Sequence, residues 1–403
     1  MSAEVKPPGP ADDDTLGLRG ISLAYLLRGI FFFTMMVGLL ALFHRYIGLR
    51  VLRDAGWNPL ISALGWAVVW LGFFSIFAAF FAGRIMPRRF ALGVHWAAFI
   101  WLGCFAVLLP FTAFADIGVW GLSKAVSPAM PWGRLEAISI LGASALALVI
   151  AFRTARGALR VERRDILIPN LPEAFEGFRI AQITDIHIGE TLNGEFLTRV
   201  VQGVNDLSPD MVAVTGDLVD GSVAKIADEV APLKDLNAKD GAFYITGNHE
   251  YYHGATAWES YVGSLGLHVL HNTHRVIRRG DAELVIAGVT DLEGRNRGPL
   301  HAPDLDAALL NSPPNAPRIL LAHQPLFARY AQNKRIALQL SGHTHGGQIF
   351  PFMFFVRLQQ PVVSGFKVLG NVPTYTSRGT GYWGPPFRLG PTPEITLLTL
   401  RRS

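Results

Sequence analysis

Four apolar runs near the N-terminus restrict the possible folds of this chain more than any other feature. They cover residues 21–43, 60–82, 90–115 and 135–152, each near the ~20 residues that a helix needs to cross a hydrocarbon core. Stretches such as Ile30-Phe31-Phe32-Phe33 and Phe73-Phe74-Ser75-Ile76-Phe77 have no polar face. A helix apolar all round is a core helix of a large protein or a membrane span, and four such runs in succession read as membrane spans. Trp57, Trp120 and Trp132 lie near run ends, where indoles anchor at the interface. The first run is long and three more follow it, which argues against a cleaved signal peptide. Of 403 residues 50% are hydrophobic and only 17% charged, and the apolar excess ends at Arg153.

Four spans put the N-terminal tail, the second loop and everything after the fourth span on one side. That side carries eleven Lys/Arg near the spans, from Lys6 to Arg164, against five on the other (Arg45, Arg50, Arg53, Lys124, Arg134). The bias places both termini and the C-terminal region on the cytoplasmic face of a plasma or inner membrane. The expected organisation is a disordered tail over 1–20, a four-helix anchor over 21–152, a basic juxtamembrane linker over 153–165 and a globular domain over 166–403. The linker is equally a charged stop or a lipid-binding segment. A net charge of +5 without an aromatic-interleaved basic stripe gives no reason to expect a nucleic-acid partner. The single cysteine, Cys104, lies in a span, so no disulfide within the chain and no thiolate metal site is available to the globular domain.

Beyond residue 166, short β-branched runs at 179–184, 211–215, 242–246, 284–289, 318–322 and 336–341 read as buried strands, and 374–377 and 394–400 add two more. Residues 195–207 and 225–236 read as amphipathic helices, giving an α/β layered core. Five strands lead at once into a motif: Asp185-Ile186-His187, Gly216-Asp217-Leu218-Val219-Asp220, Gly247-Asn248-His249-Glu250, Ala322-His323-Gln324-Pro325 and Gly342-His343-Thr344-His345. Ligands beyond strand ends gather at one rim of such a sheet. An Asp-X-His triplet puts both side chains on one side of the pleat. Mixed carboxylate, amide and imidazole donors suit manganese, iron or zinc. Two such ions about 3.5–4 Å apart offset phosphoryl charge and acidify an attacking water. Asp291, after the strand at 284–289, reads as a turn carboxylate.

The five motifs in this order resemble the calcineurin-like metallophosphoesterase superfamily, with the match extending over about 178–400. Gly247-Asn248-His249-Glu250-Tyr251-Tyr252, Gly342-His343-Thr344-His345-Gly346-Gly347-Gln348 and Ser377-Arg378-Gly379 look like its membrane-anchored phosphodiesterase branch. The four spans lie outside the superfamily pattern. The resemblance implies a four-layer α-β-β-α sandwich holding two divalent ions (manganese, iron or zinc). Asp185, His187 and His345 would hold one ion, Asn248, His323 and His343 the other, and Asp217 would bridge them. His249 would contact the phosphate and stabilise or protonate the leaving oxygen. Glu250 would orient that imidazole or pack behind it. Asp220 has two readings, a hydrogen bond to a ligand histidine or a turn aspartate before Gly221.

The reaction expected is hydrolysis of a phosphodiester or pyrophosphate bond in a substrate presented by the lipid bilayer. A nucleotide-activated acylated sugar is the specific example that the resemblance offers. The alternatives are a phosphodiesterase or phosphatase acting on soluble phosphoesters, and a non-catalytic membrane sensor that keeps the fold. A transporter fits poorly, because His95 is the only conspicuous ionisable group within a span. The apolar run 349–357 has two readings, a buried loop or strand and an exposed lip at the interface. Arg357, Lys367 and Arg378 are candidate partners for phosphate, and His253 for substrate.

Overall fold

A computed structural model describes residues 23–126 and 130–403; the expected disordered tail lies outside the described residues. The spans are α1 (Leu23–Gly48), α2 (Pro59–Ile85), α3 (Arg88–Leu122) and α4 (Trp132–Arg156). Each exceeds its apolar run because helical backbone continues through the Trp- and Arg-bearing flanks. Asn58 starts α2 by accepting from Ile61 N at 2.8 Å, with Pro59 at the first helical position, where a missing N–H costs nothing. Leucines and phenylalanines of all four helices are left half exposed. That surface is far too large for a water-facing protein and suits acyl chains.

The globular region runs β1 (Arg160–Ile168), β2 (Arg179–Ile183), α5 (Gly194–Asn205), β3 (Met211–Thr215), α6 (Val223–Val230), β4 (Ala242–Ile245), α7 (Asn248–His253), α8 (Ala255–Ser264) and β5 (His268–Val269). It continues with β6 (Thr273–Arg279), β7 (Ala282–Gly288), α9 (Leu305–Leu309), β8 (Arg318–Leu321), β9 (Ile336–Ser341), α10 (Met353–Gln359), β10 (Gly365–Leu369), β11 (Val372–Thr376) and β12 (Glu394–Arg402). Two six-stranded sheets result, ordered β1-β12-β2-β3-β4-β5 and β10-β11-β9-β8-β7-β6. Their centres, β2-β3-β4 and β7-β8-β9, are parallel. Such strands are covered on both faces, which is why Met211–Thr215 is apolar or small throughout and wholly buried.

The inner core joins the sheets through Ile180, Met211 and Phe243 on one side and Ile286, Ile319 and Leu338 on the other. Outside the first sheet, Leu197, Val200, Val230 and Trp258 pack from α5, α6 and α8. Leu305 and Ala308 of α9, with Phe327, cover the second sheet. The layers are therefore α-β-β-α, with four apolar helices in front.

Two segments depart from the sequence reading. Residues 153–165 do not form a linker: α4 runs to Arg156 and β1 starts at Arg160, pairing with β12 over nine residues. β1 is an edge strand whose charged residues are largely exposed; this charge hid the strand. Residues 349–357 do not form a buried strand: Ile349 is buried against the spans, but 353–357 lie in α10, which has no buried residue.

The globular region sits directly on the spans. Phe387 packs with Ala106, Val107, Ala147 and Ala151, and Arg388 N donates to Ala151 O at 2.9 Å. His95 Nδ1 of α3 lies 2.7 Å from Glu190 Oε2, in the loop after β2.

Candidate metal centre

Because the central strands of both sheets are parallel, their carboxyl ends form two rims that meet. The β2, β3 and β4 ends deliver Asp185, His187, Asp217 and Asn248, while the β8 and β9 ends deliver His323, His343 and His345. The rims are tied together: His323 Nδ1 donates to Thr215 O at 2.8 Å, and His343 N donates to the Asp185 carboxylate at 2.8 and 3.0 Å. Asp185, His187, Asp217, His343 and His345 all have φ between 49 and 71°. Left-handed backbone at a non-glycine residue costs roughly 1–3 kcal/mol and persists only where surrounding contacts force it. Five such residues where the two rims meet mark this edge as functional. Two glycines make room. A Cβ on Gly342 would stand 2.1 Å from Asp185 Oδ2. Gly216 has φ +88°, and a Cβ there would meet Gly247 N at 2.6 Å.

Two donor groups stand side by side. Asp185, His187 and His345 form one, and Asp217, His323 and His343 the other, each with ligand atoms within 4.8 Å of one another. Asn248 Oδ1 joins the second through His343 Nδ1, at 2.9 Å. With its Nδ1–H given to Thr215, His323 keeps Nε2 for the centre. That buried atom has no hydrogen-bond partner, although Asp217 Oδ2 is 3.1 Å away. His187 Nε2 and His345 Nε2 face each other at 3.0 Å. Acceptors brought together in a dry site call for cations between them, and the donor set fits two divalent ions.

Electrostatics agree. Burial disfavours a charged His323, yet Asp217 holds its pKa well above the usual histidine value. Burial, aided by nearby positive groups, pushes His343 down to about 3 and His345 well below its usual value, so both are neutral imidazoles ready to ligate. Burial alone would raise Asp217, but His323 keeps it well below the ordinary carboxylate range.

Asp220 is no turn aspartate. Its Oδ1 lies 3.2 Å from His187 Nδ1 and 2.5 Å from His249 Nδ1, so one oxygen orients two imidazoles and leaves both Nε2 atoms for the centre. Burial opposes its charge, but His187 and His249 hold it far below the usual carboxylate value. Burial would lower His249, and the bond to Asp220 with the charge of Asp217 raises it to about 9. Glu250 does not touch that imidazole. It accepts backbone N–H bonds from Gly247 (2.6 Å), Leu218 (2.7 Å) and Asp217 (3.1 Å), pinning the loop that carries Asp217. Burial and the Asp217 charge push it up to about 7.

His253 lies in a half-buried group with Asp220 and His249. Asp291 is a turn carboxylate, accepting from Glu293 N at 2.8 Å, but it is buried and also accepts from Gln324 Nε2 at 3.0 Å. Arg378 is held by Glu394 and Glu162. Two residues had no sequence signal. Buried Arg388 donates to His345 O at 2.7 Å and to His345 Nδ1 at 3.1 Å. Trp383 stacks edge-on to His249 at 5.8 Å between ring centres. Neither belongs to a recognisable motif, because both approach the centre from a loop distant in sequence.

A family model described as calcineurin-like phosphoesterase matches residues 178–347. A zebrafish (Danio rerio) transmembrane protein with metallophosphoesterase domain is 32% identical over 400 residues, covering 94% of this chain and 91% of its own. The chain belongs to the calcineurin-like phosphoesterase family. A Bos taurus protein of the same description is 32% identical, covering 86% of this chain and 81% of its own. An uncharacterized metallophosphoesterase of Campylobacter jejuni is 39% identical over 274 residues, 66% of this chain and 71% of its own. The protein is thus a membrane metallophosphoesterase, a metal-dependent phosphoester hydrolase.

Proposed function

We propose that this metallophosphoesterase hydrolyses a phosphodiester or pyrophosphate bond in a lipid-linked substrate, of which a nucleotide-activated acylated sugar is one example. The observation that carries the lipid part is position: the loop supplying Trp383 beside His249 also supplies Phe387, which packs on α3 and α4. Asp185, His187 and His345 would hold one divalent ion and Asn248, His323 and His343 the other, with Asp217 within reach of both; manganese, iron and zinc suit the donors. When bound, the pair neutralises phosphoryl charge and acidifies the attacking water. His249, oriented through Nδ1 by Asp220 and protonated at neutral pH, gives its Nε2 proton to the departing oxygen. Asp220 also fixes the His187 ring, while Glu250 holds the Asp217 loop. The Lys/Arg bias supports a cytoplasmic domain at the cell membrane.

The test is manganese-dependent hydrolysis of an aryl phosphodiester by the detergent-purified full chain, beside a bilayer-embedded phosphoester of the same bond type. The expected result is turnover of both, lost in Asp217→Asn, with higher kcat/KM for the embedded ester. Unchanged activity in Asp217→Asn would overturn the two-ion site. Preference for the soluble ester would overturn the lipid assignment. A C-terminal reporter active only outside the cytoplasm would overturn the orientation.

A further inference from the structure

The spans carry their own ruler. At one end Asp116 of α3 pairs with Arg50 at 3.0 Å and accepts from Tyr46 at 2.9 Å, while Arg134 donates to Gly56 O at 2.7 Å. At the other end Arg156 of α4 stands 5.7 Å over the Trp96 ring, beside the His95–Glu190 contact. Along α3, Trp96 and Asp116 are separated by about 30 Å at a rise of ~1.5 Å per residue. That equals the thickness of a hydrocarbon core, so these polar levels bracket the membrane.

The globular region reaches past the nearer level. A Cβ on Gly103 would fall 2.2 Å from the Phe387 ring, and Gly103 is about 10 Å deeper along α3 than Trp96. Phe387 also lies 6.0 Å from Phe152 of α4. The chain beside Phe387 leads straight into α10: Leu389 N donates to Gln348 O, and Phe350 N donates to Leu389 O, both at 2.9 Å. On α10 and its first flanking residue, Phe352, Phe354 (56% exposed), Phe355 (61%) and Leu358 (85%) have no cover among the described residues. An apolar face continuous with the span contact fits acyl chains rather than water.

We infer that α10 is an insertion helix seated in the near leaflet beside the spans, which sets the mouth of the metal centre at headgroup height and admits phosphoesters laterally from the bilayer. The mouth is marked by Trp383 and Tyr252, exposed rings on either side of His249. The lateral route rests on the lipid-linked reading above; the insertion does not. Short monotopic elements of this kind hold a site at a fixed depth by burying a few large side chains.

The experiment places a nitroxide at Leu358→Cys in a Cys104→Ser background of the full chain in lipid bilayers. Collision rates with oxygen and with a water-soluble nickel chelate are compared with those of a label at Arg329. Insertion requires high oxygen and low chelate access at 358. Chelate access equal to that at 329 overturns it, and spin–spin broadening from a second copy covering the helix overturns it too. A second arm measures Phe354→Ser/Phe355→Ser. The ratio of activity on the embedded ester to that on the soluble ester should fall about tenfold or more; a ratio within twofold of wild type overturns lateral entry. Normalising to the soluble ester removes any loss through misfolding. A deep label in a wild-type protein that cleaves no lipid phosphoester sustains the insertion and sinks the substrate assignment alone.

Discussion

Asp220 offers the sharpest quantitative test of the centre, because one carboxylate oxygen serves two imidazoles. Asp220→Asn keeps an acceptor oxygen of the same shape and removes the charge. Hydrogen bonds to charged groups contribute about 1.5–3 kcal/mol and neutral ones about 0.5–1.5, so each contact should lose roughly 1–1.5 kcal/mol. The contacts have different consequences. The His187 contact, at 3.2 Å, orients a residue of the first donor group, and its weakening should raise the manganese concentration for half-maximal activity about tenfold. The shorter His249 contact, at 2.5 Å, orients the proton donor, and its weakening should lower kcat at saturating metal about tenfold. Asp220→Ala, which removes the shared acceptor, should exceed Asp220→Asn in each respect. The assay is aryl phosphodiester hydrolysis titrated with manganese, with bound metal counted by mass spectrometry. If both parameters of Asp220→Asn stay within about twofold of wild type, the reasoning from this shared oxygen is wrong.

Glu250→Ala would leave three buried N–H groups of Gly247, Leu218 and Asp217 unpaired. At ~1–3 kcal/mol for each, denaturant unfolding should show a loss on the order of 3–9 kcal/mol, and a loss below about 1 would contradict this. Chelation should expose the mutual repulsion of Asp185 and Asp217; metal at about a thousand times its Kd stabilises by ~4 kcal/mol, so EDTA should lower the melting midpoint by about 10 °C and manganese should restore it. His271 has its pKa raised by Glu259, 2.8 Å away, against the opposing effect of burial. A raised folded-state pKa stabilises below the unfolded value of about 6.5 and ceases to do so as pH rises through the folded one. With the imidazole a third exposed, Glu259→Gln should cost only about 0.5 kcal/mol at pH 5.5 and less at pH 9; an equal or larger cost at pH 9 would refute the pairing.

The central strands were legible because parallel strands covered on both faces read as unbroken apolar runs, and each ended in a polar motif. What defeated the reading was context. β1 looked like a linker because an edge strand with exposed charges has no period-2 apolar pattern to offer. α10 looked equally like a buried strand, since a short aromatic run carries no sign of which solvent it meets. Asp291 caps a turn, as its position suggests, but its burial against Gln324 has no local sign. Asp220 holds a ligand histidine, one of its two readings, and also takes the His249 ring, while Glu250, next to His249 in sequence, holds backbone instead. Helix geometry decides this, because Glu250, the third residue of α7, points back toward the helix N-terminus, where the free N–H groups lie.

Taken alone, the sequence determined the four apolar helices, the α/β core and the types of donor at the strand ends, since all three follow from local periodicity and motif spacing. Only the tertiary structure decided that Asp220 serves two rings at once, that Arg388 and Trp383 reach the centre, and that the globular region leans on α3 and α4. Those are contacts between segments far apart in the chain. They depend on how two sheet rims and two span surfaces meet, which no local pattern encodes.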